Sequence, residues 1–324
     1  MRKITVSAPG KLMVLGEHAV VYGHPCIVTA VGQRLTLTAS IDPDPNFTFE
    51  ARDVDVHGHK KPMTELGNGT VEKKVAFVEH AVKNCVQKHP IDKGIEIQTT
   101  SQFSSQLGFG SSSAAAVCTI KAYSELFDLE LSNKEIFELA YKTVLDVQGK
   151  GSGFDVAAAV FGGTLYFVTG GETIEPLKVE SLPLIIGYSG VKADTVTLIN
   201  QVSELSKRHP KVVTGIYKQI DLLVREAKMK LLDKDWQAFG EQMNINQGYL
   251  EALGVSIGKL SAMIYAAREA GAYGAKLSGA GGGDCMIAFS SEEKKQGIKD
   301  AIIKVGGEVI EVEANVEGVR VEKV

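Results

Sequence analysis

Cysteine is scarce and scattered. Cys26, Cys85, Cys118 and Cys285 are the whole set, and none forms a Cys-x-x-Cys pair or stands at metal-ligand spacing from a histidine. This excludes a disulfide scaffold and a zinc site of the usual spacing, and it points to buried thiols. Long apolar runs are missing too. No stretch of 18 apolar residues is present to cross a membrane, and Met1–Ala8 lacks the 7–15-residue apolar core of a secretory leader. A cytoplasmic, reducing setting is therefore expected. Excess charge of either sign is absent: the formal net charge is −4 and the lysines and arginines are spread along the chain. Such a surface gives no electrostatic footprint for nucleic acid or a membrane, so an anionic ligand has to be met by local positive charge. Neither an internal repeat of fixed period nor a low-complexity tract is found.

What remains is ample for a packed core. The 324 residues, 44% of them hydrophobic, fit one large or two medium domains. The period-two pattern of residues 3–7 reads as a strand broken at Pro9-Gly10, and residues 26–41 and 47–51 add several more. Residues 52–70 show neither period and read as a polar loop with two solvated histidines, His57 and His59. A helix over 71–89 and a strand over 94–99 follow. Ser132 with Glu135 forms a capping box that opens a helix to about Val147, and Val156–Val160 reads as a short packed helix. A boundary near 178–184 divides residues 1–180 from 181–324. Beyond it helices are expected over 194–208, 211–233, 235–253, 258–270 and 291–304, with strands over 184–188, 273–278 and 285–289 and two more at the end.

The stretch Leu107-Gly-Phe-Gly-Ser-Ser-Ser-Ala114 lies between that first strand–helix unit and the Ala-rich run from Ala114 to Leu126. Gly108 and Gly110 allow a tight turn with bare amides, and Ser111–Ser113 stand where a helix begins. A helix start carries unpaired N–H groups and partial positive charge, so this turn is suited to an anion, phosphate above all. A Gly-Ser loop capping a core helix is the plainer alternative. Two further glycine-rich stretches, 9–16 and 278–284, and a loop aspartate, Asp155, offer together what phosphoryl transfer needs. Neither the Walker motif nor the dinucleotide fingerprint is present.

Three stretches, Ala8-Pro-Gly-Lys-Leu-Met-Val-Leu-Gly-Glu-His-Ala-Val-Val-Tyr-Gly23, Leu107–Ala115 and Lys276-Leu-Ser-Gly-Ala-Gly-Gly-Gly-Asp-Cys285, resemble the three signatures of the GHMP kinases, in the same order. The Gly-Glu-His run is most similar to the mevalonate kinases of that superfamily. The loop at Gln148–Asp155 and the Gly-Gly-Gly-Asp284 run are more like its phosphomevalonate kinases. The resemblance implies a two-domain α+β fold with the active site in the interdomain cleft, a GHMP nucleotide-binding domain over 1–180 and a C-terminal GHMP domain over 181–324.

It also implies ATP and Mg²⁺ as cofactors and the phosphorylation of the primary hydroxyl of mevalonate to 5-phosphomevalonate. The phosphomevalonate kinase reaction is the alternative, and a non-catalytic ligand-binding relative a more distant one. By the same resemblance Asp155 lies against the acceptor hydroxyl, as base or as orienting group, with Lys11 beside it. Leu107, Gly108, Phe109, Gly110, Ser111, Ser112, Ser113 and Ala114 hold the nucleotide, and Ser112 gives its hydroxyl to the metal. Glu17, His18 and Thr195 line the acceptor pocket with Lys11 and Asp155. Lys150 would suit a phosphorylated acceptor or stand in solvent. A homodimer is one admissible assembly. Three departures stand out: Val144 replaces the glutamate usual as a second magnesium ligand, so that water completes the shell, an acid such as Asp146 substitutes, or the nucleotide mainly holds the metal, and Ser104 and Gln106 replace a proline and a glycine before the turn.

Overall fold

The computed structural model describes residues 2–103 and 107–322, so Ser104 and Gln106 lie outside the described residues. Two sheets organise the chain. The larger runs β12-β1-β2-β5-β3-β4, with β6 and β7 joined on at β2. Its centre is a pair of long antiparallel strands, β1 (Lys3–Leu15) and β2 (Pro25–Asp42). Pro9-Gly10 does not end β1 as its sequence suggests; the pairing shifts register there and continues. A proline costs a sheet only the bond its missing N–H would make, and a bulge is where that loss is tolerated. Residues 26–41 lie within the single strand β2, and with β1 and the strand Asn46–Ala51 the first fifty residues hold the several strands expected. The first part of β2 pairs with β6 (Thr164–Val168) and the second with β5 (Gly94–Ser101), so one strand carries two sets of neighbours.

The polar stretch after β3 (Asn46–Ala51) is also a correction. It contains β4 (Val56–Pro62), paired with β3 at the sheet edge. An edge strand with one wet face needs few apolar residues, and so leaves little pattern to read. His59 on β4 is not simply solvated: its Nε2 lies 3.2 Å from the buried Glu79 carboxylate, which also accepts bonds from Lys61 Nζ and the Gly67 amide. His57 is exposed.

Helices α1 (Lys73–Lys88), α2 (Ser111–Leu126), α3 (Asn133–Gln148) and α4 (Phe154–Phe161) are built against this sheet, with α2 and α4 resting on β1 and β2. Ser132 and Glu135 close the expected capping box on α3. After β7 (Thr173–Leu177) the chain enters a smaller sheet of order β11-β8-β10-β9, made from β8 (Leu184–Tyr188), β9 (Gly274–Ser278), β10 (Cys285–Phe289) and β11 (Glu308–Ile310). Helices α5 (Thr195–Arg208), α6 (Pro210–Leu232), α7 (Trp236–Ala252), α8 (Gly258–Glu269) and α9 (Glu292–Lys304) accompany it, each within two residues of its expected limits.

The final segment returns to the larger sheet: β12 (Arg320–Val321) pairs with Val6 and Ser7 of β1, and Ala314 bridges Val31. Buried Arg34 fastens it. Its guanidinium donates to Ser7 Oγ at 2.6 Å, the Ser7 carbonyl at 2.9 Å, the Glu317 carbonyl at 3.0 Å and the Gly318 carbonyl at 2.6 Å. Arg34→Met keeps the packed stem but strands these acceptors, and is expected to lower unfolding free energy by about 2–4 kcal/mol. Chemical denaturation measures it; a loss below about 1 kcal/mol would mean the carbonyls find other partners.

Candidate active site

The turn before α2 is held in place from β1. The Lys11 amide donates to the Phe109 carbonyl at 2.9 Å, and Lys11 Nζ donates to the Gly108 carbonyl at 2.8 Å. Phe109 is buried beneath it, and Cys285 Sγ donates to the Leu107 carbonyl from the smaller sheet at 3.3 Å. Gly108 (φ 72°) and Gly110 (φ 82°) both lie in the left-handed region. At Gly108 a Cβ would also stand 2.4 Å from the Asp284 carboxylate, so only glycine fits. Gly110 caps α2, and among the described residues no side chain caps its first turn. The opening amides of α2, at Ser111, Ser112 and Ser113, are therefore left to a ligand, with the positive end of the helix behind them.

Asp155 reaches the same turn from α4. Gly153 (φ 91°) opens that helix, where a Cβ would stand 2.8 Å from the Tyr141 ring. The Asp155 carboxylate accepts from the Val156 amide on Oδ1 at 3.0 Å and from Ser113 Oγ on Oδ2 at 2.5 Å. Lys11 Nζ lies 5.2 Å from the centre of the Phe154 ring, one residue away. A Cβ built on Gly110 would be 3.2 Å from Lys11 Cε and 3.7 Å from Asp155 Cβ. Turn, lysine and aspartate thus meet at one point. Burial pushes the Lys11 ammonium below its usual range, opposed chiefly by the charges of Asp155 and Asp284. Ser113, not singled out from its neighbours by sequence, supplies the hydroxyl that holds the carboxylate. On this helix it is the first serine that turns inward to burial, which nothing in the sequence signals.

The smaller sheet closes the other side. Asp284 (φ 54°) accepts from the Ala193 amide at 3.0 Å, and burial raises its carboxyl above the ordinary range. His18 is 4% exposed, and its Nε2–H donates to the Ala280 carbonyl at 2.9 Å. Its backbone (φ 61°, ψ −50°) forms the centre of a γ-turn, closed by the Ala19 amide on the Glu17 carbonyl at 2.7 Å. That turn is a strained form, and strain of this kind gathers at functional sites. Thr195 is exposed at the first position of α5, next to its cap Asp194. Glu17 does not open toward the cleft: its carboxylate is buried against Lys276.

Asp146 cannot stand in for the missing glutamate, because Asn84 Nδ2 and Lys142 Nζ hold it at 2.9 and 2.8 Å on the α1–α3 side. Val144 is a core residue, and Lys150 donates to Asn200 Oδ1 of α5 at 2.5 Å. All four cysteines are free and buried. Among the described residues no three His, Cys, Asp or Glu side chains converge as a metal cage. The donor set is instead a hydroxyl beside open amides, which suits a hard cation carried in on phosphate oxygens.

Residues 76–163 match the pattern described as GHMP kinases N terminal domain, and 222–308 that described as GHMP kinases C terminal. The chain is similar to mevalonate kinase of Pyrococcus abyssi, 37% identical over 100% of this chain and 99% of the relative. It is 38% identical to that of Pyrococcus horikoshii over the same shares. The crystal structure of the Methanococcus jannaschii mevalonate kinase superposes with a TM-score of 0.82 at 26% identity, covering 98% of this chain and 99% of that one.

Burial holds His18 below the ordinary histidine value of 6.5. The folded state therefore binds fewer protons there than the unfolded chain, and this contribution is present above the unfolded value and lost as pH falls through it. Unfolding free energy should fall as pH drops from about 7 through the lowered folded value, and His18→Asn, which accepts a positive φ, should flatten part of that slope. Equal slopes in the two proteins would place the ring in water.

Proposed function

The chain belongs to the GHMP kinases and, by likeness along its whole length, to the mevalonate kinases among them, and from that premise we propose how its residues divide the work. It is an ATP-dependent kinase that transfers the terminal phosphoryl group of ATP to the primary hydroxyl of mevalonate, giving ADP and 5-phosphomevalonate. In our reading the amides of residues 108–113 receive the nucleotide's phosphates, with Leu107 and Ala114 at the margins of that cradle. Mg²⁺, which would be held by the Ser112 hydroxyl, neutralises phosphate charge when bound.

The meeting of Gly110, Lys11 and Asp155 carries the proposal. Ser113 and the Val156 amide each occupy one oxygen of Asp155. A carboxylate has about four acceptor sites, so room remains for the acceptor's hydroxyl proton. Asp155 receives that hydrogen bond and aims the oxygen at the phosphoryl group. Lys11 has one proton on the Gly108 carbonyl and turns the others toward the developing charge. Transfer is direct, from nucleotide to alcohol, since positioning and charge stabilisation supply most of what phosphoryl transfer requires. His18 and Thr195 face the acceptor across the cleft from Asp155. The reading extends to a cytoplasmic homodimer, supported by four free thiols and by exposed Val212, Leu222 and Met229 along α6.

Side-by-side assays of ADP release with mevalonate and with its 5-phosphate test the acceptor; turnover confined to the 5-phosphate would overturn it. Asp155→Ala is expected to cost about 10²-fold or more in kcat, and a loss under about threefold would remove it from the mechanism. Ser112→Ala should raise the Mg²⁺ concentration needed for half-maximal rate while leaving KM for mevalonate nearly constant. An unaltered metal requirement would reassign the hydroxyl.

A further inference from the structure

The turn that carries His18 is fastened from below by a charge pair that the transfer mechanism does not use. The side chains of Glu17 and Lys276 are 1% and 0% exposed, and they form an ion pair. Lys276 also donates to the Leu277 carbonyl. The pair joins the end of β1 to β9, so it spans the two sheets. Two residues further along the same face of β9, Ser278 Oγ donates to the Met13 carbonyl at 2.8 Å. From α7, Asn246 Oδ1 accepts the Gly16 amide at 3.4 Å, while Gln247 and Asn244 accept the Leu277 and Ala275 amides at 3.0 and 3.1 Å. Every contact in this seam fixes residues 13–17 against residues 275–278.

Glu17 Oε2 and Asn246 Nδ2 are buried without a partner. The seam therefore offers the carboxylate one strong counter-charge, Lys276, and at 1% exposure Glu17 has no surface to present to a ligand. Its backbone, however, closes the γ-turn of His18 through the Ala19 amide, and a strained turn persists only where its surroundings over-determine it. Among the restraints on it are the Glu17 side chain on one flank and the His18–Ala280 bond on the other.

We propose that Glu17 is a positioning residue: its ion pair with Lys276 holds the turn that aims His18 at the acceptor alcohol, so the pair sets affinity for mevalonate without touching it. This rests on the reading of His18 as an acceptor contact. A buried ion pair has a distinctive mutational signature. Removing either partner leaves the other as an uncompensated buried charge, whereas replacing both by apolar residues of similar size relieves it.

The test is the cycle Glu17→Leu, Lys276→Met and the double variant, read as KM for mevalonate against KM for ATP. Each single change is expected to raise KM for mevalonate about tenfold or more with KM for ATP within about twofold, and the double to return to within about threefold of the parent. Lys276→Met without effect on KM for mevalonate, or a double variant no better than Glu17→Leu, would mean that Glu17 binds the acceptor itself and would overturn the proposal. If the single variants do not fold, calorimetric binding of mevalonate to the double variant decides. Binding near the parent's supports the proposal; a folded double variant that has lost it overturns it. His18→Asn separates the two levels of the argument. An unchanged KM for mevalonate in that variant ends the reading of His18, and a raised one beside an unrescued double variant ends the role of the ion pair.

Discussion

An α-helix that begins in a glycine turn leaves its first amides without partners, and the rest of this molecule is arranged so that those amides stay free and aligned. Among the described residues no side chain caps the first turn of α2, and Gly110 in the left-handed conformation aims the helix. The turn is clasped on its carbonyl side instead. Lys11 takes the carbonyls of Gly108 and Phe109, and Cys285 takes that of Leu107. Donors thus face outward to a ligand because the acceptors of the same turn are spent on the two sheets.

That arrangement concentrates charge at the seam between the sheets. Lys11, Asp155 and Asp284 stand around the turn, and Glu17 with Lys276 lies behind it. Desolvation penalises four of them, pushing the Lys11 and Lys276 ammonium groups down and the Glu17 and Asp284 carboxyls up. Mutual proximity opposes that penalty, so the groups are stable as a set. A site built this way is pre-organised by neighbours from both halves, and neither half contains it alone.

Much of this was legible in the order of residues. Helices with a complete end signal, such as Ser132 with Glu135 or the run closed by Gly271, are found where periodicity and capping place them. The glycine turn is readable because its chemistry is local, a bare turn at a helix start, whereas the roles expected of Lys11 and Asp155 come from the resemblance to the GHMP kinases. The illegible parts depend on partners distant in the chain. Pro9-Gly10 reads as a break, yet β2 is long enough to carry β1 past it. Val56–Pro62 lacks a pattern because only one face of an edge strand is covered. The resemblance places Glu17 in the acceptor pocket, and nothing nearby in the chain reveals that Lys276, 259 positions on, lies against it. Ser112 and Ser113 are indistinguishable until α4 is set beside α2 and one of them meets Asp155.

The pairing of β12 with β1 puts Arg320 and Val321 beside Ser7 and Val6. This edge partner is therefore made some three hundred residues after β1, which waits with a bare edge while they emerge. Contacts of that span are slow to close, so a nascent chain should depend on chaperones or on transient cover of that edge during synthesis.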